Sequence, residues 1–347
     1  MIDVRAPVEF AQGHLPGAVN LPILNDEERA LIGTTYKQQG RDVAVKLGYE
    51  LISGPIKESR LQAWSAFIKE NPQSVIYCFR GGMRSQITQG WLKEQGLERP
   101  LIVGGYKKAR HFFLEELNQL KKNFSFVSVS GPTGSGKTKF LQEADSLFPH
   151  VDLEALACHR GSAFGAMKSP QPAQINFENQ LALSLMKINR PPSGPSKVLV
   201  EDESRMIGQC VQPLPFFEHL REAPIFWIDE PLETRIENVY QDYILDSAMA
   251  SGDQEPALNV FKKYKQAVNC LQKRLGGLRT QEILDLLDKA EHEFLDSKTF
   301  TGNKAWIERL LVYYYDPIYL GSLERRQVQV IFKGTYSNCL SFLRSFE

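Results

Sequence analysis

The sequence predicts an α/β protein built from two parallel-sheet domains, residues 1–120 and 121–347, the second with a helical C-terminal region. Short apolar runs alternate with amphipathic stretches in both parts of the 347-residue chain, a pattern typical of parallel strands joined by helices. The length supports two domains as well, because a domain commonly spans about 100–200 residues.

Buried strands and amphipathic helices alternate in the first domain. Residues 75–77 and 101–103 are short apolar runs that we expect to form strands, and residues 60–70 and 86–95 have helical periodicity. The charged stretch 115–123 is expected to be a helix end or a linker to the second domain.

The second domain begins with an alternating run that predicts a strand over Phe124–Ser130. The remaining predictions follow in chain order: a helix over residues 137–147, a loop over 190–196, strands over 197–200 and Ile225–Ile228, mainly helix over 231–297, and a strand over 327–333.

Composition excludes several classes of protein. The 41 Lys and Arg residues balance 41 Asp and Glu residues, so a nucleic-acid partner would need a local basic surface. No apolar run approaches the ~20 residues of a membrane span, and Asp3, Arg5 and Glu9 interrupt any secretory signal after Met1. The five cysteines include no Cys-x-x-Cys pair, which argues against a disulfide framework or a zinc site and favours a reducing cytoplasm.

A cysteine lies at the expected strand–loop–helix turn of residues 78–85, Cys-Phe-Arg-Gly-Gly-Met-Arg-Ser. Backbone N–H groups and the positive end of a helix stabilise a thiolate at such a turn. Cys78 is therefore the candidate catalytic nucleophile, and Arg80 and Arg84 add positive charge. Cys78 and Arg84 also fit the Cys-x5-Arg pattern of cysteine phosphatases, although Tyr77 stands where those enzymes usually carry histidine.

Residues 131–138, Gly-Pro-Thr-Gly-Ser-Gly-Lys-Thr, fit the phosphate-binding pattern G-x-x-x-x-G-K-[ST] between an expected strand and an expected helix. Such a loop binds a diphosphate through its N–H groups and its lysine. The candidate ligand-binding residues are Gly131, Gly134, Ser135, Gly136, Lys137 and Thr138.

A divalent cation, Mg²⁺, is expected beside this loop. Thr138 would bind it with Glu201 and Asp202, which end the neighbouring expected strand. Asp229 and Glu230 form a second candidate pair at the end of another strand.

The first domain resembles the rhodanese family. The resemblance lies in motifs that occur in the family's order: residues 3–5 (Asp-Val-Arg), 9–10 (Glu-Phe), 13–18 (Gly-His-Leu-Pro-Gly-Ala), 20–22 (Asn-Leu-Pro), the loop 78–85, and 103–106 (Val-Gly-Gly-Tyr). It implies that Cys78 carries a persulfide or a perselenide.

The second domain carries a further motif, His-Arg-Gly-Ser-Ala-Phe-Gly at residues 159–165, and later Tyr-Tyr-Asp-Pro-Ile-Tyr at residues 314–319. A rhodanese domain followed by a P-loop NTPase-like domain with this motif resembles the bacterial tRNA 2-selenouridine synthase family over nearly the whole chain. The resemblance implies a role for His159 and Arg160 in binding a substrate or its phosphate.

The same resemblance implies two reactions on the wobble 2-thiouridine in the anticodon arm of tRNA. Geranyl diphosphate first alkylates the sulfur, and selenium from selenophosphate then replaces the geranylthio group. The P-loop would bind an allylic diphosphate without ATP hydrolysis, and Cys78 would carry selenium or act directly on the geranylated base. Candidates for an apolar slot that holds the geranyl chain are Phe164, Met167, Phe177 and Leu181.

Two basic segments are candidates for the tRNA surface. They are Lys262, Lys263, Lys265, Lys273, Arg274 and Arg279, with Tyr264 interleaved, and Lys107, Lys108, Arg110 and His111.

Two other functions stay open at the level of the sequence. One is an ATP-dependent tRNA thiolation enzyme, and the other is a regulatory protein that joins a phosphatase-like cysteine domain to a kinase-like domain. Binding of a lipid diphosphate, followed by analysis of tRNA nucleosides, would distinguish the three.

Overall fold

The computed structural model describes residues 1–162, 164–165, 167, 169–189, 194–246, 254–326 and 328–346. These residues form two compact units. The first comprises Met1–Gln119 and Pro172–Lys187, and the second comprises Leu120–Gln171 and Ile188–Glu347. The segment Pro172–Lys187 therefore departs from the predicted division at residue 120.

The first unit contains a small parallel sheet. Strands β1 (Ile2–Asp3), β2 (Val19–Asn20) and β3 (Ile76–Tyr77) pair in the order β2-β1-β3. The strand predicted over residues 101–103 is reduced to one parallel bridge between Leu101 and Ile76, because the chain then turns at Gly104, which has a φ of +81°.

Helices surround this sheet and agree with the predicted alternation. Their bounds are Pro7–Gln12, Asp26–Gln39, Arg41–Leu51, Gly54–Glu70, Met83–Glu94 and Gly105–Asn118. The stretch 115–123 is the end of the last of these helices followed by a short helix, Leu120–Asn123.

A further helix of the first unit, Gln174–Met186, comes from the middle of the predicted second domain, and we call it the inserted helix. Asn179 on it accepts a hydrogen bond from Arg110 Nη1 at 2.8 Å and donates one to the His14 carbonyl at 2.7 Å. Glu178 forms an ion pair with the same arginine. Phe177 is fully buried, so this helix completes the core of the first unit.

The second unit contains a five-stranded parallel sheet, whose strands are β4 (Phe124–Ser130), β5 (His150–Val151), β6 (Ser196–Glu201), β9 (Ile225–Ile228) and β10 (Val330–Gly334). They pair in the order β10-β9-β4-β6-β5. A small antiparallel hairpin pairs β7 (Met206–Ile207) with β8 (Cys210–Val211). The two-residue strand β5 was not predicted, because it is too short to alternate.

Most of the predicted elements of the second unit are present. β4 and β9 have the predicted bounds, and β10 begins three residues after the predicted start at Gln327, which lies outside the described residues. Residues 190–193 of the predicted loop also lie outside them, as do residues 247–253 of the predicted helical region.

The helical C-terminal region has an apolar core of its own, which includes Phe261, Ile283, Leu287 and Trp306. The helices of the second unit are Leu120–Asn123, Lys137–Ala144, Leu153–Ala157, Leu214–Glu222, Leu232–Val239, Gln254–Cys270, Gln272–Leu275, Gly277–Ser297, Asn303–Leu310, Asp316–Glu324 and Tyr336–Leu343, with π-helical turns at Tyr240–Leu245 and Leu311–Tyr315. Among the described residues, no helix combines the length and the apolar character that a membrane crossing requires.

Candidate functional site

Cys78 follows β3 directly, and its side chain is buried. Gly81 turns the chain with a φ of +67°. The loop then lies against Gly105, where an added Cβ would stand 2.3 Å from the Cys78 carbonyl oxygen. Tyr106 N donates to that same oxygen at 2.9 Å. The two motifs that suggested a rhodanese-like domain, the cysteine loop and Val-Gly-Gly-Tyr, therefore hold each other in position.

The surroundings of Cys78 favour a thiolate. Burial opposes ionisation, but hydrogen bonds from Ser85 and from backbone N–H groups outweigh it, and with the positive charge of Arg84 they lower the pKa of the Cys78 thiol. The Ser85 hydroxyl lies 3.2 Å from the Cys78 Sγ. The thiol is thus held in a form that can attack an electrophile or carry a second chalcogen atom.

Arg84 and Arg80 lie in different environments. The Arg84 guanidinium donates to both carboxylate oxygens of Glu9, at 2.5 and 3.1 Å. Burial of Glu9 opposes its ionisation, but this pairing outweighs burial and lowers the pKa of the carboxyl group. Arg80 is exposed, with its guanidinium 5.8 Å from the centre of the Phe79 ring.

The Glu9 contact argues against the phosphatase interpretation. A cysteine phosphatase needs the arginine of its Cys-x5-Arg loop to grip the phosphate that reacts with the thiol. Here the Glu9 carboxylate accepts hydrogen bonds from both terminal nitrogens of the Arg84 guanidinium. A phosphate would need the same two nitrogens for bidentate binding, so Glu9 competes with it.

A buried ion pair explains the Asp-Val-Arg motif at the start of the chain. Arg5 Nη2 donates to Asp3 at 2.6 Å and to the Gly13 carbonyl at 2.7 Å. Its guanidinium also lies 4.1 Å from the centre of the Tyr106 ring. Asp3 and Arg5 therefore join β1 to the helix Gly105–Asn118, whose first residues contact the cysteine loop.

The phosphate loop, residues 131–136, lies between β4 and the helix Lys137–Ala144, as its motif predicts. Gly134 and Gly136 adopt φ values of +84° and +82°, which glycine accepts without strain. A Cβ on Gly134 would stand 2.6 Å from the Arg235 carbonyl oxygen, so this glycine also permits a close approach. Lys137 Nζ donates to the Gly131 carbonyl at 3.0 Å.

Sequence reasoning missed the residues that brace the phosphate loop. Arg235 is buried and donates to both carboxylate oxygens of Asp316, at 2.7 and 2.8 Å. Asn238 donates to the Gly134 carbonyl at 2.8 Å. Asp316 belongs to the Tyr-Tyr-Asp-Pro-Ile-Tyr motif, and this was the one signal in the sequence that pointed to the brace.

Tyr319, the last residue of that motif, contacts the first residue of the phosphate loop. Its hydroxyl accepts a hydrogen bond from Gly131 N at 3.1 Å, and Lys137 Nζ lies 5.3 Å from the centre of its ring. The tyrosine thus shields one side of the loop and its lysine.

Three glutamates converge next to Lys137, and we call Glu154, Glu201 and Glu203 the carboxylate cluster. One oxygen from each lies within 4.8 Å of the others. Thr138 Oγ1 donates to Glu201 at 3.0 Å and to Glu154 at 3.2 Å. Burial and then mutual repulsion raise the pKa of each carboxyl group to about 8, against the opposing charge of Lys137.

The cluster fits a divalent cation such as Mg²⁺. It offers hard oxygen donors beside a phosphate loop, and Glu201 Oε2 is buried without a hydrogen-bond partner among the described residues. Gly161 lies against the cluster with a φ of +55°, and a Cβ there would stand 2.4 Å from Glu203 Oε2. This close approach explains why the His-Arg-Gly-Ser motif has a glycine at its third position.

Of the three predicted metal ligands, the structure brings Thr138 and Glu201 together and directs Asp202 elsewhere. Asp202 pairs with Arg326 at 2.6 Å and accepts a hydrogen bond from Ser130 at 2.5 Å. Neighbouring residues of an extended chain point to opposite sides, so Asp202 faces away from the cluster while Glu203 returns to it.

The second candidate pair does not join the cluster either. Asp229 accepts from Trp227 Nε1 at 3.1 Å and pairs with Lys333 at 3.1 Å. Glu230 accepts a hydrogen bond from Tyr336 N. Both carboxylates hold the edge of the sheet together.

His159 and Arg160 flank the cluster in different ways. His159 N donates to the Glu154 carbonyl at 3.0 Å, and its Nδ1 is buried without a partner among the described residues. Burial, and then the charge of Lys263, lower the pKa of this imidazole, which favours its neutral form. Arg160 donates to the Asp242 carbonyl at 2.5 Å.

A narrow apolar cavity adjoins the phosphate loop at Thr133. The lining includes Ser162, Phe164, Tyr243 and Trp306. Its free volume of about 20 Å³ holds no more than a water-sized group, so a prenyl chain would enter only after lining side chains change rotamer.

The other candidates for an apolar slot lie elsewhere. Phe177 and Leu181 are fully buried in the core of the first unit, on the inserted helix, and Met167 is 47% exposed. Phe164 is therefore the one of the four that lines the cavity beside the phosphate loop.

The longer basic segment is partly engaged within the protein. Tyr264 is buried, and Lys265 pairs with Asp288 and Glu291. Arg274 donates to the Tyr314 hydroxyl at 3.0 Å. In the shorter segment, Arg110 is held by the inserted helix, so neither segment is a fully solvated basic face.

The fold and the two sites define a rhodanese-like domain joined to a P-loop α/β domain. Residues 1–111 match the family described as rhodanese-like domain, and residues 124–347 match the family described as tRNA 2-selenouridine synthase AAA domain. The chain belongs to the tRNA 2-selenouridine synthase family, and it is an enzyme. This assignment confirms the predicted fold class and favours the first of the three functions.

Relatives that carry this name align along almost the whole chain. The protein of Bdellovibrio bacteriovorus is 52% identical over 358 residues, and that of Nitrosomonas eutropha is 50% identical over 364 residues. The protein of Pseudomonas syringae pv. syringae is 41% identical over 348 residues. Each alignment covers 99% of this chain and 94% of the relative.

Proposed function

We propose that the protein converts the wobble 2-thiouridine of tRNA to 2-selenouridine in two steps. In the first step the allylic carbon of geranyl diphosphate bonds to the sulfur, and diphosphate leaves with the electron pair of the broken C–O bond. Loss of the N3 proton leaves a neutral S-geranyl base. In the second step the selenium of selenophosphate bonds to C2 of the base, the C2–S bond breaks and the geranylthio group leaves as geranylthiol, and water cleaves the P–Se bond to release phosphate. Alkylation makes the second step feasible, because a geranylthiolate is a better leaving group than the sulfide that an unalkylated thiocarbonyl would have to expel.

The first step is assigned to the phosphate loop. Lys137 and the loop N–H groups provide positive charge where the diphosphate charge develops. Mg²⁺, bound by Thr138 and the carboxylate cluster, would supply further neutralisation of that charge. The prenyl chain would lie against Phe164 in the apolar cavity beside Thr133, once the lining side chains change rotamer to admit it.

The second step is assigned to Cys78. The lowered pKa of the Cys78 thiol favours its thiolate, which would attack C2 of the geranylated base, displace the geranylthiolate and then be displaced in turn by the selenium of selenophosphate. Arg84 pairs with Glu9 and therefore acts as a positioning residue for the loop. Arg80 is exposed beside the thiol loop, where its charge can attract selenophosphate or the tRNA backbone.

One observation carries the proposal: a single chain of this family combines a thiol of lowered pKa with a phosphate loop that is backed by three carboxylates. A thiol alone would fit many rhodanese-like proteins, and a phosphate loop alone does not specify whose diphosphate it binds.

The test is modification of a 2-thiouridine tRNA in vitro, with each co-substrate omitted in turn and the nucleosides analysed by mass spectrometry. We expect geranylated tRNA with geranyl diphosphate and Mg²⁺ alone, and selenated tRNA only when selenophosphate is also present. A protein that modifies the tRNA only when ATP is supplied and hydrolysed would refute the proposal.

Two variants divide the steps. Cys78→Ala should abolish selenation and leave geranylation, and Lys137→Ala should slow geranylation about 100- to 1,000-fold, in line with the loss of one charge-stabilising group. The exposed Cys270 and Lys139 give matched controls, Cys270→Ala and Lys139→Ala, that should keep both steps. Equal loss of both steps in Cys78→Ala would contradict the assignment.

A further inference from the structure

The first unit contains an apolar cavity of about 470 Å³, which we call the apolar pocket. Three helices form its walls: Asp26–Gln39, Arg41–Leu51 and Met83–Glu94. The apolar lining includes Ala44, Val45, Gly48, Ile52, Ile87 and Trp91.

The pocket begins where the thiol loop ends. Met83 and Arg84 line it, and the next residue, Ser85, contacts the Cys78 Sγ at 3.2 Å. Ile52 and Trp91 belong to the same apolar cluster as Cys78. A molecule in the pocket therefore lies within one helical turn of the residues that hold the thiol.

The size and the rim of the pocket point to a ligand. Protein interiors are close-packed, and voids larger than a water molecule are few, whereas small-molecule sites are mostly apolar and occupy about 300–1,000 Å³. Tyr36 and Tyr49, both at least half exposed, stand at the rim with Arg41. An apolar interior with aromatic and cationic groups at the rim suits an apolar chain attached to a polar, negatively charged body.

We propose that the apolar pocket binds the geranyl chain of the S-geranylated wobble uridine during the selenation step. This inference rests on the proposed function. The geranyl chain is the apolar part of a substrate whose remainder is charged and polar, and its ten carbon atoms fit a cavity of this volume. Burying the chain here fixes the C2–S bond next to the thiol loop, so that binding energy from a remote group orients the reacting atoms.

The length of the chain gives the first test, with the wild-type protein alone. Anticodon stem–loops that carry S-dimethylallyl or S-geranyl 2-thiouridine differ by five carbon atoms. Each buried methylene changes affinity about fourfold, so the geranyl form should bind up to about 1,000-fold more tightly by calorimetry. Equal affinity for the two stem–loops would overturn the assignment.

Filling the pocket gives the second test. Val45 lines it, whereas Val43, on the same helix, is exposed and lies outside the lining. Val45→Trp should reduce the preference for the geranyl form to less than tenfold and slow selenation of the geranylated stem–loop at least tenfold. Val43→Trp introduces the same side chain into the same helix and should keep both properties.

Gly48→Leu fills the pocket from another position, where an added Cβ meets the Ile32 side chain at an ordinary 3.5 Å. If Val45→Trp melts at a lower temperature than the wild type, the preference for the geranyl form is measured on Gly48→Leu instead. Retention of the chain-length preference in a filled variant that melts like the wild type would overturn the inference.

The two proposals fail in different ways. If the wild-type protein neither forms nor consumes geranylated stem–loop, the proposed function is wrong. If it does both, and the filled variants do so equally well, only the assignment of the pocket is wrong.

Discussion

Binding of Mg²⁺ to the carboxylate cluster should release protons at pH 7. Burial and mutual repulsion raise the pKa of Glu154, Glu201 and Glu203 to about 8. Carboxyl groups whose pKa is raised this far are mostly protonated at pH 7, whereas a metal ion requires the ionised form. Each glutamate that becomes a ligand therefore releases about one proton.

The pH dependence follows with a definite sign. The folded protein without metal holds protons that the unfolded chain releases near its ordinary pKa of 4.5, so its stability falls as pH rises from about 4.5 to about 8. Metal affinity changes in the opposite direction. Between pH 6 and 7 it should increase about tenfold per proton released, which gives a total of about 10- to 1,000-fold for one to three protons.

Calorimetry in buffers of different ionisation enthalpy counts these protons directly. Glu201→Gln should release at least one proton fewer, because the amide releases none and the loss of its charge also lowers the pKa of Glu203, and it should bind Mg²⁺ more weakly. Asp229→Asn is the matched control, because Asp229 pairs with Lys333 outside the cluster, and it should leave the proton count unchanged. Binding without proton release, and with an affinity independent of pH, would refute the cluster as the metal site.

Three further predictions concern the thiol, the cluster and the division into units. Ser85→Ala should raise the pKa of the Cys78 thiol, because a hydrogen bond to the thiolate is lost. The thiolate absorbance, measured against Cys78→Ala, checks this, and an unchanged titration would contradict the role of Ser85. Gly161→Ala should weaken Mg²⁺ binding at least tenfold, since its Cβ would displace the Glu203 carboxylate. Calorimetry measures this affinity, and an unchanged affinity for Mg²⁺ would contradict a role for Glu203 as a ligand. A fragment of residues 1–119 should melt well below the same fragment supplied with the inserted helix as a peptide, and equal melting temperatures would argue against that packing.

Local patterns in the sequence were sufficient to predict the strands and loops that hold the reactive groups. The alternation of apolar residues located β4, and a short apolar run located β9, each with its bounds. The glycine and lysine pattern located the phosphate loop, because its backbone conformation depends on residues at positive φ that are close together in the chain. The cysteine loop was found for the same reason.

The inserted helix could not be assigned to the first unit from the sequence. Its periodicity is compatible with packing in either domain, and the contacts of Asn179 with Arg110 and His14 join residues that are 69 and 165 positions apart. Chain order favoured the second domain, and tertiary packing reversed that expectation.

Which glutamates form the carboxylate cluster was likewise decided by the tertiary structure. The run Glu-Asp-Glu at residues 201–203 determined that carboxylates end β6, but not which of them face Thr138. The direction of each side chain depends on where the strand ends, and Arg326 draws Asp202 to the other side. Glu154 reaches the cluster from a separate helix. The sequence by itself determined the two reactive sites of this protein, the thiol and the phosphate loop, because each is formed by one short loop. The residues that contact those loops are far apart in the chain, and only the tertiary structure brings them together.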